Sequence, residues 1–156
     1  MPIQKSHLRR LAIVFQPDPV FLITTCTHER RPILANAAIH QVLRREWSGL
    51  RRRHGWAAGR YVVMPDHVHF LVRPAGRPER PLATAVGKWK EWTARGMARL
   101  GVARSPVWQP EFFDHLIRSE ESLEEKWRYV QENPVRAGLV ERAEDWPWSG
   151  AIDFEV

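Results

Sequence analysis

The sequence predicts an α+β fold, in which an antiparallel sheet built in the order βαββαβ is followed by one added C-terminal helix. Two observations support this fold class. Runs rich in β-branched and aromatic residues alternate with runs whose apolar residues recur every three or four positions. The 156 residues are also enough for one hydrophobic core but not for two. We therefore predict a single domain over residues 1–156.

The first strand and the first helix are predicted between residues 20 and 55. Residues 20–27 are β-branched and aromatic, and the charged cluster 28–31 ends the strand. Asn36 is expected to cap the following helix and Gly55 to end it. The apolar positions of this helix follow helical spacing: Ile39, Val42, Leu43, Trp47 and Leu50.

A hairpin and a second helix come next. Residues 60–64 and 67–72 read as two strands joined by a tight turn at Pro65-Asp66. Residues 76–81 read as a surface loop. A helix should begin at Pro81 and end near Gly101.

The last strand and helix complete the fold. Residues 111–118 form the fourth predicted strand. The helix should open at Ser119 or at Ser122, which could form a capping box with Glu125, and it should end near Asn133 because a proline follows. This order is the split βαβ or ferredoxin-like plan, with two helices on one face of the sheet.

Composition and charge restrict the function classes. Lys and Arg number 24 against 18 Asp and Glu, so the formal net charge is +6, and nucleic acid becomes the leading partner class. The lone cysteine, Cys26, excludes an internal disulfide and a Cys-based zinc site. The basic residues Lys5, Arg9 and Arg10 precede an apolar run, 11–15, that is too short for a signal peptide or a membrane span. We expect a cytoplasmic protein without a membrane partner.

Two histidines are the first candidates for chemistry. His67 and His69 lie two apart on a predicted strand, so their side chains share one face at a spacing of about 7 Å. This spacing suits two imidazoles that converge on one metal ion. The alternative, two histidines on a half-exposed strand without a ligand, stays open on this pattern alone.

A tyrosine and an asparagine on the last helix are the next candidates. Tyr129 stands four residues before Asn133, so that both share a helix face away from the apolar stripe of Leu123, Trp127 and Val130. The simpler interpretations are a tyrosine with a solvated hydroxyl and a helix-end asparagine.

Three segments together carry a resemblance to a known family. They are YVVMPDHVHFLV at 61–72, WRYVQENPVRAGLV at 127–140 and DWPWS at 145–149. With the same order of strands and helices, they resemble the REP-associated tyrosine transposases, a branch of the single-tyrosine HUH transposases of bacterial mobile elements. Many relatives have Asn where Asp66 stands, a turn position expected to leave the metal site intact. The stretch from Trp108 to Glu111 lacks the Gly-Arg often found there.

The resemblance implies a chemistry and a partner. His67, His69 and Asn133 would bind Mg²⁺ or Mn²⁺, and Tyr129 would be the catalytic nucleophile. The enzyme would cleave and rejoin single-stranded DNA at hairpin-forming repeats through a 5′-phosphotyrosine link, with no small-molecule cofactor. Relatives of this kind include monomers and homodimers, and either is expected here.

The DNA contacts are predicted from the basic and aromatic residues. Four arginines flank the helix that carries Tyr129 and are expected to meet the DNA backbone, whereas the arginine run around Arg51 and Arg52 is expected to be largely solvated. Trp108, in a loop, is the candidate for stacking on a base. The complete set of expected DNA-binding residues is Arg118, Arg128, Arg136, Arg142, Trp108 and Lys88.

Two other function classes compete with the transposase. A nucleotide hydrolase of the histidine-triad type would need a third histidine where Leu71 stands. A non-catalytic module that binds single-stranded nucleic acid on a ferredoxin-like sheet would need aromatic residues on its central strands, where this chain has His67 and His69. A covalent protein–DNA adduct separates the transposase from both.

Overall fold

The computed structural model describes residues 19–78 and 80–155. The predicted basic and apolar segment at Lys5, Arg9, Arg10 and 11–15 lies outside the described residues, as does Glu79 in the predicted loop. The single domain predicted over residues 1–156 extends beyond them and stays a prediction.

A five-stranded sheet forms the centre of the fold. Its strands are β1 (Val20–Cys26), β2 (Trp56–Val63), β3 (His67–Pro74), β4 (Phe113–Ile117) and β5 (Ser149–Ala151). They lie in the order β4-β1-β3-β2-β5, and every neighbouring pair is antiparallel. The first four strands confirm the predicted ferredoxin-like α+β fold. The edge strand β5 was not predicted, because three residues that include a glycine show no periodicity.

Four helices accompany the sheet: α1 (Ala37–His54), α2 (Leu82–Arg99), α3 (Glu120–Gln131) and the short α4 (Asn133–Arg136). Asn36 caps α1 as predicted, since its Oδ1 accepts the Ile39 N–H at 3.0 Å. Gly55 ends α1 with φ of 77°, a left-handed conformation that suits glycine. The prediction of a capping box at Ser122 is wrong. Ser119 caps α3 instead, and its Oγ accepts the Ser122 N–H at 3.1 Å. None of the helices in residues 19–78 and 80–155 is long and apolar enough to cross a membrane.

The two faces of the sheet carry separate cores. Helices α1 and α2 cover one face with a core that contains the stacked indoles of Trp47 and Trp89. Helix α3 covers the other face through Leu123, Trp127 and Val130. Side chains alternate along a strand, and β3 sends Val68 and Phe70 to the first core and Leu71 to the second. His67 and His69 therefore lie on the face of α3.

A helix boundary separates the predicted nucleophile from the predicted amide ligand. Helix α3 ends at Gln131, and α4 begins at Asn133 with Pro134 in its first turn, a position that tolerates proline. Tyr129 and Asn133 thus stand in two successive helices rather than on one continuous face.

Candidate metal and nucleophile site

The two histidines of β3 form the centre of the candidate site. The centroids of the His67 and His69 rings are 4.9 Å apart, and the rings are nearly perpendicular at 83°. His67 has 17% of its side chain exposed. The pair is thus close enough for both rings to bind one ion.

Each imidazole has an oxygen partner at Nδ1. The His69 Nδ1 lies 2.8 Å from the Oγ1 of Thr24, which stands directly opposite on β1. The His67 Nδ1 lies 2.8 Å from the Oδ1 of Asp66. Among the hydrogen bonds of residues 19–78 and 80–155, neither ring uses Nε2. The Asp66 carboxylate only accepts, so it fixes the His67 tautomer that leaves Nε2 free for a metal, as in metal-binding histidines. The Thr24 hydroxyl orients the His69 ring in the same way.

The protonation state of His69 also suits a ligand. Burial, together with the positive charges of His67 and Arg136, lowers the pKa of His69 to about 4. The ring is therefore neutral at neutral pH, which is the form that binds a cation.

Asp66 connects the histidine pair to a strained loop. Its carboxylate accepts a second hydrogen bond, from the Arg30 Nε at 3.0 Å. Burial alone would raise the pKa of Asp66, but the hydrogen bonds from His67 and Arg30 outweigh it and hold the pKa below its ordinary value. Glu29 and Arg30 have φ of 57° and 52°, which non-glycine residues rarely adopt. Asp66 is therefore more than the turn residue that the sequence indicated, since it contacts a predicted metal ligand.

Tyr129 is exposed at the end of α3, on the same sheet face as the histidines, with 66% of its surface accessible. The Cζ of Arg136 lies 3.7 Å from the centroid of the Tyr129 ring. The Nη2 of Arg136 donates to the Tyr129 carbonyl at 2.7 Å and to the Asn133 Oδ1 at 2.9 Å. The structure therefore brings Tyr129, Asn133 and Arg136 together in one cluster.

Tyr129 also lines a groove of about 430 Å³, and Leu22, His115 and Lys126 are among the other lining residues. Burial and the charges of Lys126 and Arg118 lower the pKa of His115. Phe113, an exposed aromatic residue on the sheet face that α3 covers, was not predicted from the sequence.

Phe113 pairs directly with Thr24 in the sheet and is 45% exposed. Because cross-strand partners share a face, the row His69, Thr24 and Phe113 lies on the side of α3. Strand periodicity is the signal that could have revealed it, because Phe113 lies four residues before Ile117, which packs in the core of the α3 face.

The predicted stacking residue Trp108 is in the wrong place for that role. Its indole is only 6% exposed, packs 5.3 Å from the Trp89 ring and donates from Nε1 to the Thr93 Oγ1 at 2.9 Å. Trp108 belongs to the core under α2, so its ring has no face to offer a base. The prediction is corrected accordingly.

The predicted basic residues separate into two groups. Arg118, Arg128 and Arg136 are exposed on β4, α3 and α4 or directly beside them. Arg142 is exposed but forms ion pairs with Glu144 and Asp145. Lys88 lies on α2, across the sheet from Tyr129, and its Nζ is 3.6 Å from a Glu91 carboxylate oxygen. The structure therefore does not bring Lys88 to the site.

The donor set fits a divalent cation. The part of the chain that the structure describes holds no group of three His, Cys, Asp or Glu side chains suited to a metal. Two imidazoles with oxygen partners at Nδ1 are present, and the amide oxygen of Asn133, which accepts from Arg136, is the third predicted donor. Nitrogen and oxygen donors of this kind accept Mn²⁺ and Mg²⁺.

Comparison with known proteins identifies the class and then the branch. The profile of the family described as "Transposase IS200 like" matches residues 20–133, which is most of the chain, and the chain belongs to this family. Two of its curated relatives carry the name REP-associated tyrosine transposase, which confirms the resemblance. The Escherichia coli protein of that name is 28% identical over 111 residues, covering 70% of this chain and 63% of the relative.

Two further relatives agree with this placement. A Haemophilus influenzae protein with the same family name is 33% identical over 95 residues, or 56% of this chain and 54% of the relative. The chain thus spans less than two thirds of the length of these curated relatives. A solved REP-associated tyrosine transposase bound to a REP hairpin matches with a TM-score of 0.68 and 24% identity, covering 86% of this chain and 77% of that one, which supports the fold.

Proposed function

We propose that this chain is a metal-dependent transposase or endonuclease that cleaves and rejoins single-stranded DNA through a 5′-phosphotyrosine intermediate at Tyr129. One observation carries the proposal: a pair of histidines with oriented Nδ1 partners lies on the same sheet face as the helix that presents an exposed tyrosine. We also propose that it acts in the cytoplasm as a monomer or a homodimer.

The chemistry uses the tyrosine as a nucleophile. The exposed Tyr129 Oη gives its proton to solvent water and attacks the phosphorus of a phosphodiester. The bond from phosphorus to the 3′ oxygen breaks, and that oxygen takes up a proton as a free 3′-hydroxyl. The 5′ side stays linked to Tyr129, so the energy of the phosphodiester is retained. A 3′-hydroxyl can later attack the phosphotyrosine and restore the strand.

The proposed metal ligands are His67, His69 and Asn133. A divalent cation bound there supplies positive charge that polarises the scissile phosphate. Asp66 holds His67 in the tautomer that a ligand requires, and Thr24 orients the His69 ring. The chain's own contribution is thus a preformed pair of imidazole donors, of which His69 is neutral at neutral pH.

The proposed substrate is single-stranded DNA that folds into a hairpin, as in the solved relative. Arg118, Arg128 and Arg136 are exposed near Tyr129 and are proposed to meet its phosphates. Neutralising one phosphate contact should reduce the slope of log affinity against log salt by about 0.7 on a single strand. Charge-removing changes at Arg51 and Arg52, on the opposite face, are the matched controls, and a larger effect there would contradict this DNA path.

The decisive experiment is trapping of the covalent adduct. Protein is incubated with Mn²⁺ and labelled single-stranded hairpin oligonucleotides, and the products are separated on a denaturing gel. Wild-type protein should become attached to the 5′ side of the break, and Tyr129→Phe should form no adduct while it still binds DNA. The chain has one other tyrosine, Tyr61, which is buried. Tyr61→Phe is therefore the matched control and should keep the adduct.

The outcomes separate the function classes. An adduct that persists in Tyr129→Phe would refute the assignment of the nucleophile. Tight binding without any adduct in the wild-type protein would favour the non-catalytic nucleic-acid-binding module instead.

A further inference from the structure

We propose that Arg136 positions the nucleophile and competes with the metal for Asn133, so that metal binding and the arrangement of Tyr129 are coupled. This inference rests on the proposed function, because it takes Asn133 as a metal ligand and Tyr129 as the nucleophile. It assigns Arg136 a role within the protein, in addition to any contact with DNA.

One guanidinium makes three contacts that bear on the site. It lies over the Tyr129 ring, with Cζ 3.7 Å from the centroid. Its Nη2 donates to the Tyr129 carbonyl in the last turn of α3 and to the Asn133 side-chain oxygen, at 2.7 and 2.9 Å. Arg136 therefore fixes the end of α3, the aromatic ring and the amide through a single rigid group.

The hydrogen bond from Arg136 occupies the same Asn133 oxygen that a metal ion would need. The Asn133 Oδ1 now accepts a hydrogen bond from a cationic group. A divalent cation on that oxygen would stand beside the guanidinium, and the two positive charges repel each other. Metal coordination through Asn133 therefore requires Arg136 to leave the amide. Because the guanidinium also lies over Tyr129, its departure changes the surroundings of the ring.

A double-mutant cycle measured by calorimetric titration with Mn²⁺ tests the competition. Arg136→Met removes a positive charge and also the hydrogen bond to Asn133. In the Asn133→Ala background that hydrogen bond is already absent, so only the effect of the charge on Mn²⁺ binding is left. We expect Arg136→Met to tighten Mn²⁺ binding by about threefold to tenfold more in the Asn133 background than in the Asn133→Ala background. Arg128→Met, a change at an exposed arginine of α3, should show no such difference. Equal changes in both backgrounds would refute the competition.

Fluorine NMR of protein labelled with 3-fluorotyrosine tests the link to the nucleophile. The chain has two tyrosines, so two resonances are expected, and Tyr129→Phe assigns them. Arg136→Met should shift the Tyr129 resonance, and saturating Mg²⁺ should shift that of the wild-type protein in the same direction. The buried Tyr61 serves as the internal control. A Tyr129 resonance unaffected by Mg²⁺ would refute the coupling.

Failure of this inference differs from failure of the proposed function. If His67→Ala binds Mn²⁺ as the wild-type protein does, the metal site itself is refuted. If Mn²⁺ binding requires His67 but the cycle shows no coupling, only the role of Arg136 is refuted.

Discussion

The strongest test of the site concerns a residue that does not bind the metal itself. Asp66 accepts a hydrogen bond from the His67 Nδ1 at 2.8 Å and thereby fixes the tautomer with a free Nε2. Loss of such an outer partner typically lowers metal affinity 10- to 100-fold. We expect Asp66→Ala to weaken Mn²⁺ binding within this range. Asp66→Asn retains an oxygen acceptor but loses the charge, so its loss should lie near tenfold, or about 1.4 kcal/mol.

Calorimetric titration with Mn²⁺ at neutral pH measures this effect, and thermal melting checks the fold. The ion pair between Arg30 and Asp66 is partly solvated, with side-chain exposures of 53% and 28%, so its loss should cost at most about 1 kcal/mol of stability. Asp145→Asn removes a carboxylate from an exposed ion pair with Arg142 and is the matched control. An Asp66→Ala variant that binds Mn²⁺ as tightly as the wild-type protein would refute the assignment of His67 as an oriented ligand.

Three other predictions follow from the contacts of single residues. Thr93→Val leaves the buried Trp108 indole N–H without its acceptor and should lower the free energy of unfolding by about 1–3 kcal/mol, measured by urea denaturation; an unchanged midpoint would contradict this. Phe113→Ala should weaken binding of single-stranded DNA by about 1–3 kcal/mol in fluorescence anisotropy, whereas Trp92→Ala, an exposed aromatic on α2, should not, and equal losses would remove the stacking role. Burial lowers the pKa of His40, so as the pH decreases below about 6.5 the unfolded chain takes up a proton before the native protein does, and the free energy of unfolding decreases. His40→Asn should make the free energy of unfolding depend less on pH in a series of denaturation measurements, and an unchanged dependence would contradict this.

The elements of the fold were largely predictable because each long segment carries its own signal. The apolar spacing, the cap at Asn36 and the stop at Gly55 all reside within α1 and its two ends. Where two local signals compete, sequence cannot choose between them. Ser119 and Ser122 both suit a helix N-cap, and the end of β4 at Ile117 favours the earlier one because the chain turns there.

The candidate site was predictable only as far as its residues are close in sequence. His67 and His69 are neighbours on one strand, and their shared face follows from strand geometry. Thr24 is far from them in sequence, and only the antiparallel register of β1 with β3 brings it opposite His69. Trp108 failed for a related reason: an irregular segment has no periodicity, so its sequence does not show that the ring fills the space beside Thr93.

The division of the core between the two sheet faces explains why the proposed nucleophile, Tyr129, needs a residue such as Arg136. The larger core lies under α1 and α2, and it includes most of the fully buried aromatic side chains. Helix α3 rests on the opposite face through three buried residues, Leu123, Trp127 and Val130. An element with less buried apolar surface opens more readily than the rest of a fold. The end of α3 that bears Tyr129 is therefore held in part by the hydrogen bonds of Arg136. Unlike a packed core, these hydrogen bonds can be replaced by contacts with the proposed cation and phosphate when they bind.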